Sequence, residues 1–244
     1  MPKVKTRGAI SKSDILEAAF TMFEAEGDEG FSVRKVAALV GVDPMTVLHH
    51  FGTKRELLRA IADRAVHTVV IPPSTDDWRH DLRSIGAAYR ELALRNPRVF
   101  RLHFHFHATG PADHRAAEIV YRAMLRAGRP NREAAGLGLA FYAFVLGFAL
   151  AEAEGLLLPI TADDEAELLG LCPEMFPATR ALVPAFKQLN PNDTFESAME
   201  ICLEGLASSW RRDDASEGSD ASHARPLSPI SGVDGRLALR KPLI

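Results

Sequence analysis

The stretch FSVRKVAALVGVDPMTVLHHFGTKREL, residues 31–57, constrains this chain more than any other. Its punctuation predicts two short helices joined by a tight turn, and the start of a third. Ser32 is placed to N-cap the first, because its hydroxyl can accept from a backbone N–H that has no intrahelical partner. Val36, Ala37, Leu39 and Val40 give that helix an apolar face. Gly41 falls where a left-handed residue ends a helix without a Cβ penalty. Asp43-Pro44 then supplies an N-cap followed by a first-turn proline, whose missing N–H is no loss. The second helix, Pro44 to about His50, is barely two turns, and Thr53 to Glu56 forms an S/T-x-x-E capping box for the next. Helix, glycine turn and short helix form the pattern of a helix-turn-helix that docks in a DNA major groove.

Composition limits how such a chain meets DNA. Its 244 residues carry a formal net charge of −3, so the contact must come from a local basic surface. With 47% hydrophobic and 25% charged residues it reads as an ordinary globular chain, long enough for one large or two small domains. Cys172 and Cys202 have neither CxxC nor zinc-ligand spacing and read as reduced thiols. The first residues, MPKVKTRGAISKSD, contain no apolar signal core. The longest apolar run, Leu137 to Ala151, falls below the roughly 18–20 residues of a membrane span and is closed by Glu152 and Glu154. The expectation is a soluble, cytoplasmic protein without a membrane partner.

The pattern on either side is helical. Residues 1–10 carry Lys3, Lys5 and Arg7 with no acid, and Lys12 follows. A basic arm there is placed to track phosphates or a minor groove, with a solvated terminus as the plain alternative. Helix 1 is expected from Ser11 to about Glu26. Ser11 and Asp14 pair as a capping box, Ile10 and Ile15 as a hydrophobic staple, Ala19, Met22 and Phe23 continue the stripe, and Gly27 closes it. Helix 4 follows Thr53, with Leu57, Leu58, Ile61 and Ala65 on one face and Ile71-Pro72-Pro73 at its end.

Farther on, Trp78, Leu82, Ile85, Tyr89 and Leu92 form one buried stripe. Asn96-Pro97 is expected to open a helix through Phe106. Pro111 opens another to near Gly128, with Ile119, Val120, Met124 and Leu125 inward. Asn131 is expected to cap Glu133–Leu157, a segment apolar nearly all round and therefore central or shared between subunits. In it Gly136, Gly138 and Gly147 permit close helix approach. Residues 158–192 hold five prolines and only short helical patterns, such as Asp163 to Leu171. A last helix begins at Asp193, with Glu196 as its capping-box partner and Phe195, Met199, Cys202 and Leu206 inside. From Arg212 the tail has too little apolar content to fold.

The pattern F-S-V-R-K-V-A-x-x-V-G-V-x-P-x-T-V-L-x-H-F-x-x-K-x-E-L-L resembles the TetR family of one-component transcriptional regulators, over about residues 11–65. The remainder resembles that family in architecture alone. The resemblance implies a homodimer that binds a double-stranded DNA operator, and a small-molecule effector that releases it. Roles pass only to matching positions. Arg34 matches a contact to a guanine edge or phosphate, with Lys35 beside it. Thr46 matches a hydroxyl that touches base or phosphate. Pro44 and Met45 occupy the exposed first turn, where Met45 can meet a thymine methyl. His50 and Lys54 match phosphate contacts, Lys54 at a helix N-terminus where the dipole also favours an anion. Ser32 adds a phosphate hydrogen bond while capping. One position departs: Leu48 stands where the family usually has tyrosine, so that phosphate contact is lost or replaced by His49. The plainer alternatives are that Arg34 and Lys35 are solvated helix charges, and that His50 packs beside Phe51.

His103, His105 and His107 alternate with Phe104 and Phe106. On a strand the three imidazoles would share a face and suit zinc; on a helix only His103 and His107 would. The Asn96-Pro97 start favours the helix. Candidates for an effector pocket, apolar with a few polar groups, are Trp78, His103, Phe104, His107, Tyr121, Phe141, Tyr142, Phe144 and Phe148.

The resulting expectation is an all-α chain. A basic arm (1–10) precedes a three-helix helix-turn-helix DNA-binding domain (11–56) and a helical effector-binding and dimerisation domain (57–211), followed by a disordered tail (212–244). Its function is that of a ligand-responsive repressor, not an enzyme, with no cofactor. The rivals are a metal-dependent enzyme built on the histidine run and a non-sensing architectural DNA-binding protein.

Overall fold

Ser11 starts the first helix by a reciprocal cap. Its hydroxyl accepts from the Asp14 N–H at 3.1 Å, while the Asp14 carboxylate accepts from the Ser11 N–H at 2.9 Å. The computed structural model describes residues 10–106 and 108–214, with side chains described as far as residue 207. Helix α1 (Lys12–Gly30) buries Ile15, Ala19 and Phe23, and breaks at Gly27, whose φ of +69° is left-handed. Beyond the break the chain turns so that Phe31 meets Phe23 edge-on, with ring centroids 5.3 Å apart.

Helix α2 (Val33–Val40) is N-capped by Ser32 and ended by Gly41 at φ +74°. Its inward face is narrower than its sequence suggests: Val36 and Ala37 are buried, whereas Leu39 is 62% exposed. Helix α3 (Pro44–Phe51) starts at Asp43, whose carboxylate accepts from the Met45 N–H at 2.7 Å. Helix α4 (Lys54–Val66) starts at Thr53, whose hydroxyl accepts from the Glu56 N–H; the return bond of a full capping box is not made. Val47, Leu57 and Ile61 close the core of this head, each fully buried. At roughly 1.5–3 kcal/mol per buried aliphatic side chain, that small core is what holds two eight-residue helices together. Helix α4 ends at Val66, before the expected Ile71-Pro72-Pro73, because Thr68 turns its hydroxyl onto the Ala65 carbonyl at 2.7 Å and starts the connecting loop.

The second half is built on α5 (Trp78–Arg95), α7 (Pro111–Arg126) and α8 (Asn131–Ala153), which pack on one another. Leu82, Ile85, Tyr89 and Leu92 line the buried face of α5, with Trp78 at its half-buried edge. The Asn96-Pro97 start yields only the single turn α6 (Pro97–Phe100) and then a 3-10 stretch, Arg101–His105, in place of a helix through Phe106. On α7, Val120 and Met124 face inward as expected, but Leu125 is 49% exposed. Helix α8 begins at Asn131 itself, with Pro130 as its cap residue and no side-chain cap.

Helices α9 (Ala162–Gly170) and α10 (Pro177–Phe186) pack chiefly on each other, and α11 (Pro191–Asp214) returns to α5 and α8. Helix α11 starts two residues before the expected Asp193, because Asn190 turns the chain by accepting from the Asn192 N–H. Gly86 lets α11 seat closely: a Cβ there would lie 2.3 Å from the Met199 methyl. Arg90 forms a two-pronged, mostly buried ion pair with Glu152, at 2.5 and 2.6 Å, that ties α5 to α8. No strand occurs among the described residues.

Helix α8 is long and apolar enough to cross a membrane by length and composition alone, since the helix extends past the apolar run at both ends. Its faces differ. Ala134, Gly138, Phe141, Val145 and Ala149 are buried, while Gly136, Leu139, Ala140, Ala143 and Gly147 are exposed. Gly138 is closed off by the Tyr121 ring, whereas a Cβ at Gly136 or Gly147 would meet nothing within 4 Å.

Candidate DNA-reading head and effector pocket

The turn between α2 and α3 sets which side chains of α3 point away from the core. Val47 and Phe51 anchor the helix inward, so Met45, Thr46, Leu48 and His49, with Gly52, line a shallow outer depression. Met45 is 68% exposed at its tip. Pro44 holds the first turn, and His50 is half-buried with its ring 5.9 Å from that of His49. Arg34 is exposed near the start of α2, and the Ser32 hydroxyl accepts from the Lys35 N–H at 3.2 Å.

Two of the basic side chains are turned back on the head. Lys35 pairs with Glu26 at 2.8 Å and donates to the Gly30 carbonyl, and Lys54 lies 3.4 Å from Asp28 and over the Phe31 ring. Exposed pairs of this kind are worth about 0–1 kcal/mol, so they yield readily to a phosphate. Lys3, Lys5 and Arg7 lie outside the described residues.

The second feature is a small cavity of about 30 Å³ between α5, α7 and α8. Tyr89, Tyr121 and Tyr142, the three tyrosines of the chain, all line it, together with Asp113, Ile85 and Val120. Tyr89 donates its hydroxyl proton to Asp113 Oδ1, and Tyr142 O–H lies 3.3 Å from the same oxygen. The Thr109 N–H donates to Oδ2 at 2.9 Å. Burial, then the neighbouring phenol and carboxylate, raises the Tyr89 hydroxyl well above the ordinary phenol range. Burial and Asp113 raise Tyr142 likewise, so both rings keep their protons. The Tyr142 oxygen is also 3.3 Å from His103 Nδ1. Burial pulls His103 down to about 4, against the opposing pull of Asp113 and Asp63, so its ring is neutral at neutral pH. Among the described residues, the buried side-chain atoms His103 Nε2 and Thr109 Oγ1 have no hydrogen-bond partner.

The structure gathers only part of the expected pocket set here. Tyr121 and Tyr142 line the space, and His103 reaches it through Tyr142. Phe141 is core at 2% exposure, and Phe144 and Phe148 stack with each other and onward to Phe195. Trp78 sits at the start of α5 beneath the Arg79 guanidinium, and Phe104 is 50% exposed. His107 lies outside the described residues. Sequence reasoning placed Tyr89 only in a core stripe and passed over Asp113. The available signal was an acid in the first turn after Pro111, which also reads as an ordinary helix-start charge.

The histidine run adopts neither expected geometry. A 3-10 stretch advances about 120° per residue, so residues two apart diverge. His103 is accordingly buried and His105 exposed. No group of three His, Cys, Asp or Glu side chains able to hold a metal ion occurs among the described residues.

Head and pocket are joined through α4. Arg59 Nε donates to the carbonyls of Thr109 at 3.0 Å and Ala108 at 3.2 Å, and Asp63 accepts from the Ala112 N–H at 3.0 Å. A second junction lies at α6, where the Val99 N–H donates to Glu24 and Arg98 reaches the carbonyls of Glu24 and Ala25.

A helix-turn-helix with an exposed reading face, joined to a helical bundle with an aromatic cavity, is the architecture of a DNA-binding regulator. Residues 15–61 match the family model of bacterial regulatory proteins, tetR family, and residues 72–209 match that of the tetracyclin repressor-like C-terminal domain. The chain belongs to the TetR family of transcriptional regulators. Regulators of this family bind DNA operators and small-molecule effectors and act as dimers. Among its relatives is the tetracycline repressor protein class A from transposon 1721 of Escherichia coli, 27% identical over 204 residues, or 81% of this chain and 91% of the relative. The class C tetracycline repressor of Escherichia coli is 25% identical over 226 residues, 91% of this chain and 90% of its own. In fold the chain is similar to ligand-free ActR of Streptomyces coelicolor, with a TM-score of 0.72 at 22% identity, covering 85% of this chain and all of ActR. The complex of ActR with actinorhodin superposes with a TM-score of 0.71 at 22% identity, over 83% of this chain and 99% of ActR.

Proposed function

We propose that this protein is a homodimeric repressor that leaves a palindromic operator when a small apolar or amphipathic effector enters the space between α5, α7 and α8. Residues 11–56 form the DNA-binding domain and residues 57–211 the effector and dimer domain, with residues 1–10 an arm along the phosphates. The observation that carries the reading is a short run of contacts from cavity to head. Asp113 faces the cavity, its neighbour Ala112 donates to Asp63 on α4, and α4 packs in the head's core.

The dimer is supported by the unpartnered face of α8, where Gly136, Ala140, Ala143 and Gly147 recur every three or four residues beside exposed Leu139. Ile201 on α11, 74% exposed, and Met175, Phe176 and Leu182 around α10 are further exposed apolar side chains. Two such protomers would offer two α3 helices to successive major grooves. Ser32, Arg34, Lys35, Pro44, Met45, Thr46, His49, His50 and Lys54 carry the DNA contact in this reading, and the site of action is the cytoplasm. An effector shifts the equilibrium only as far as it prefers the dimer whose heads no longer fit the groove spacing.

The test begins with genomic fragments selected on the purified protein, which yield the operator. Fluorescence anisotropy on that operator then measures affinity with and without ligands that calorimetry shows to bind. A bound ligand that leaves operator affinity unchanged overturns the sensing half of the proposal, and a monomer at micromolar concentration overturns the dimer.

A further inference from the structure

We infer that the effector is a small aromatic or amphiphilic organic cation, its positive charge set against Asp113 and its apolar body against the tyrosine rings. This deepens, and rests on, the reading of the α5–α7–α8 space as the effector site.

Asp113 is 3% exposed, and among the described residues no lysine, arginine or histidine forms an ion pair with it. A buried carboxylate without a cation is unusual, since buried charges are normally paired. Its hydrogen-bonding neighbours do not supply positive charge: they are two phenols and a backbone N–H. The neighbouring His103 does not supply it either, because burial keeps that ring neutral.

The proton directions point the same way. Tyr89 spends its proton on Asp113. Tyr142 has one proton and two acceptors in reach, Asp113 and His103 Nδ1; the carboxylate is the stronger acceptor and takes it. His103 must then donate from Nδ1 to the Tyr142 oxygen, which leaves Nε2 a bare acceptor, and that atom has no partner. Around Asp113 the carboxylate and the two phenol oxygens therefore all accept. Among the described residues there, Thr109 and Tyr121 keep hydroxyls free to turn either way. An anionic ligand meets charge repulsion here, while an ammonium finds acceptors and a counter-charge. Tyr89 and Tyr142 meet edge to face at 5.5 Å, and with Tyr121 they offer the π surface that suits an aromatic cation.

Three naphthalene probes of one shape test the inference by calorimetry on the full chain: naphthalen-2-ylmethylammonium, naphthalen-2-ylmethanol and naphthalene-2-carboxylate. The ammonium is expected to bind about tenfold or more tightly than the alcohol, the scale of one charge-assisted hydrogen bond, and the carboxylate most weakly. Asp113→Asn, checked by circular dichroism, should remove that advantage and leave the alcohol within about twofold. Should Asp113→Asn not fold, Tyr121→Leu serves in its place and should weaken the ammonium more than the alcohol. The inference is overturned if the alcohol or the carboxylate matches the ammonium, if the ammonium does not bind, or if a folded Asp113→Asn keeps the preference. Operator release is read in parallel: tight ammonium binding without release overturns the effector reading but leaves the ligand class standing, and release by the alcohol alone does the reverse.

Discussion

The carboxylate of Asp63 accepts a hydrogen bond from the backbone N–H of Ala112 at 3.0 Å, one residue before the carboxylate that faces the cavity. Asp63 belongs to α4, so the first turn of α7 is fastened to the helix that leads out of the DNA-reading head. Arg59, one turn earlier, holds the carbonyls of Ala108 and Thr109. Neither side chain lines the cavity, so removing either should spare ligand binding and weaken the message. Arg59→Ala and Asp63→Ala are each expected to keep ligand affinity within about twofold while the ligand-driven loss of operator affinity shrinks about fivefold, roughly the worth of one hydrogen bond. Anisotropy on operator DNA with saturating ligand measures this. Undiminished release in both variants would place the coupling elsewhere, for instance at α6.

Gly138 separates stability from binding. A Cβ there would lie 2.7 Å from the Tyr121 ring, a wall of the cavity, which must shift to clear it. Alanine in a helix interior gains about 1 kcal/mol over glycine, whereas overpacking costs about 1–3 kcal/mol. The two nearly offset in the folded protein, but only the second acts on the ligand. Gly138→Ala should therefore melt within a few degrees of the parent and bind any cavity ligand about tenfold more weakly. Equal affinity would show that Tyr121 has room to turn aside.

His103 gives the stability a pH limb of known sign. Its folded pKa, about 4, lies below the ordinary value of 6.5, so the unfolded chain binds the extra proton between those values. Stability is therefore lost as pH falls from about 6.5 to about 4, by up to about 3 kcal/mol, and the loss levels off below that. Urea melts at pH 7 and pH 4.5 should show the difference, and His103→Gln should flatten it. A parent protein equally stable at both values would mean that the ring is hydrated in solution.

The head was legible in the sequence because its signals are local. Ser11, Ser32, Asp43 and Thr53 each cap the helix they were expected to cap, and Gly41 has the left-handed backbone its position required. The cavity was not legible in the same way. Tyr89, Asp113 and Tyr142 are scattered over three helices, and nothing in the spacing within one helix reports which residues of another it meets. Periodicity also cannot separate a core aromatic from one that borders a void, which is why Phe141 was named and Tyr89 was not. The histidine run failed for a different reason: the choice offered was strand or α-helix, and the chain took a 3-10 turn.

Leu48 remains the position where this head departs from the pattern it otherwise keeps. It is half-buried on the outer face of α3, between Met45 and His49 along the same shallow surface. A tyrosine there would extend a hydroxyl beyond the leucine methyls, toward the phosphates that flank a groove, and would add a donor at a position that has none. One phosphate hydrogen bond of about 1 kcal/mol makes Leu48→Tyr about fivefold tighter on the operator. The gain should hold across operator variants, because phosphate contacts carry no base information. Unchanged or weaker binding would mean that His49 already occupies the phosphate. In that event His49→Ala alone should weaken binding, and adding Leu48→Tyr to it should restore the loss.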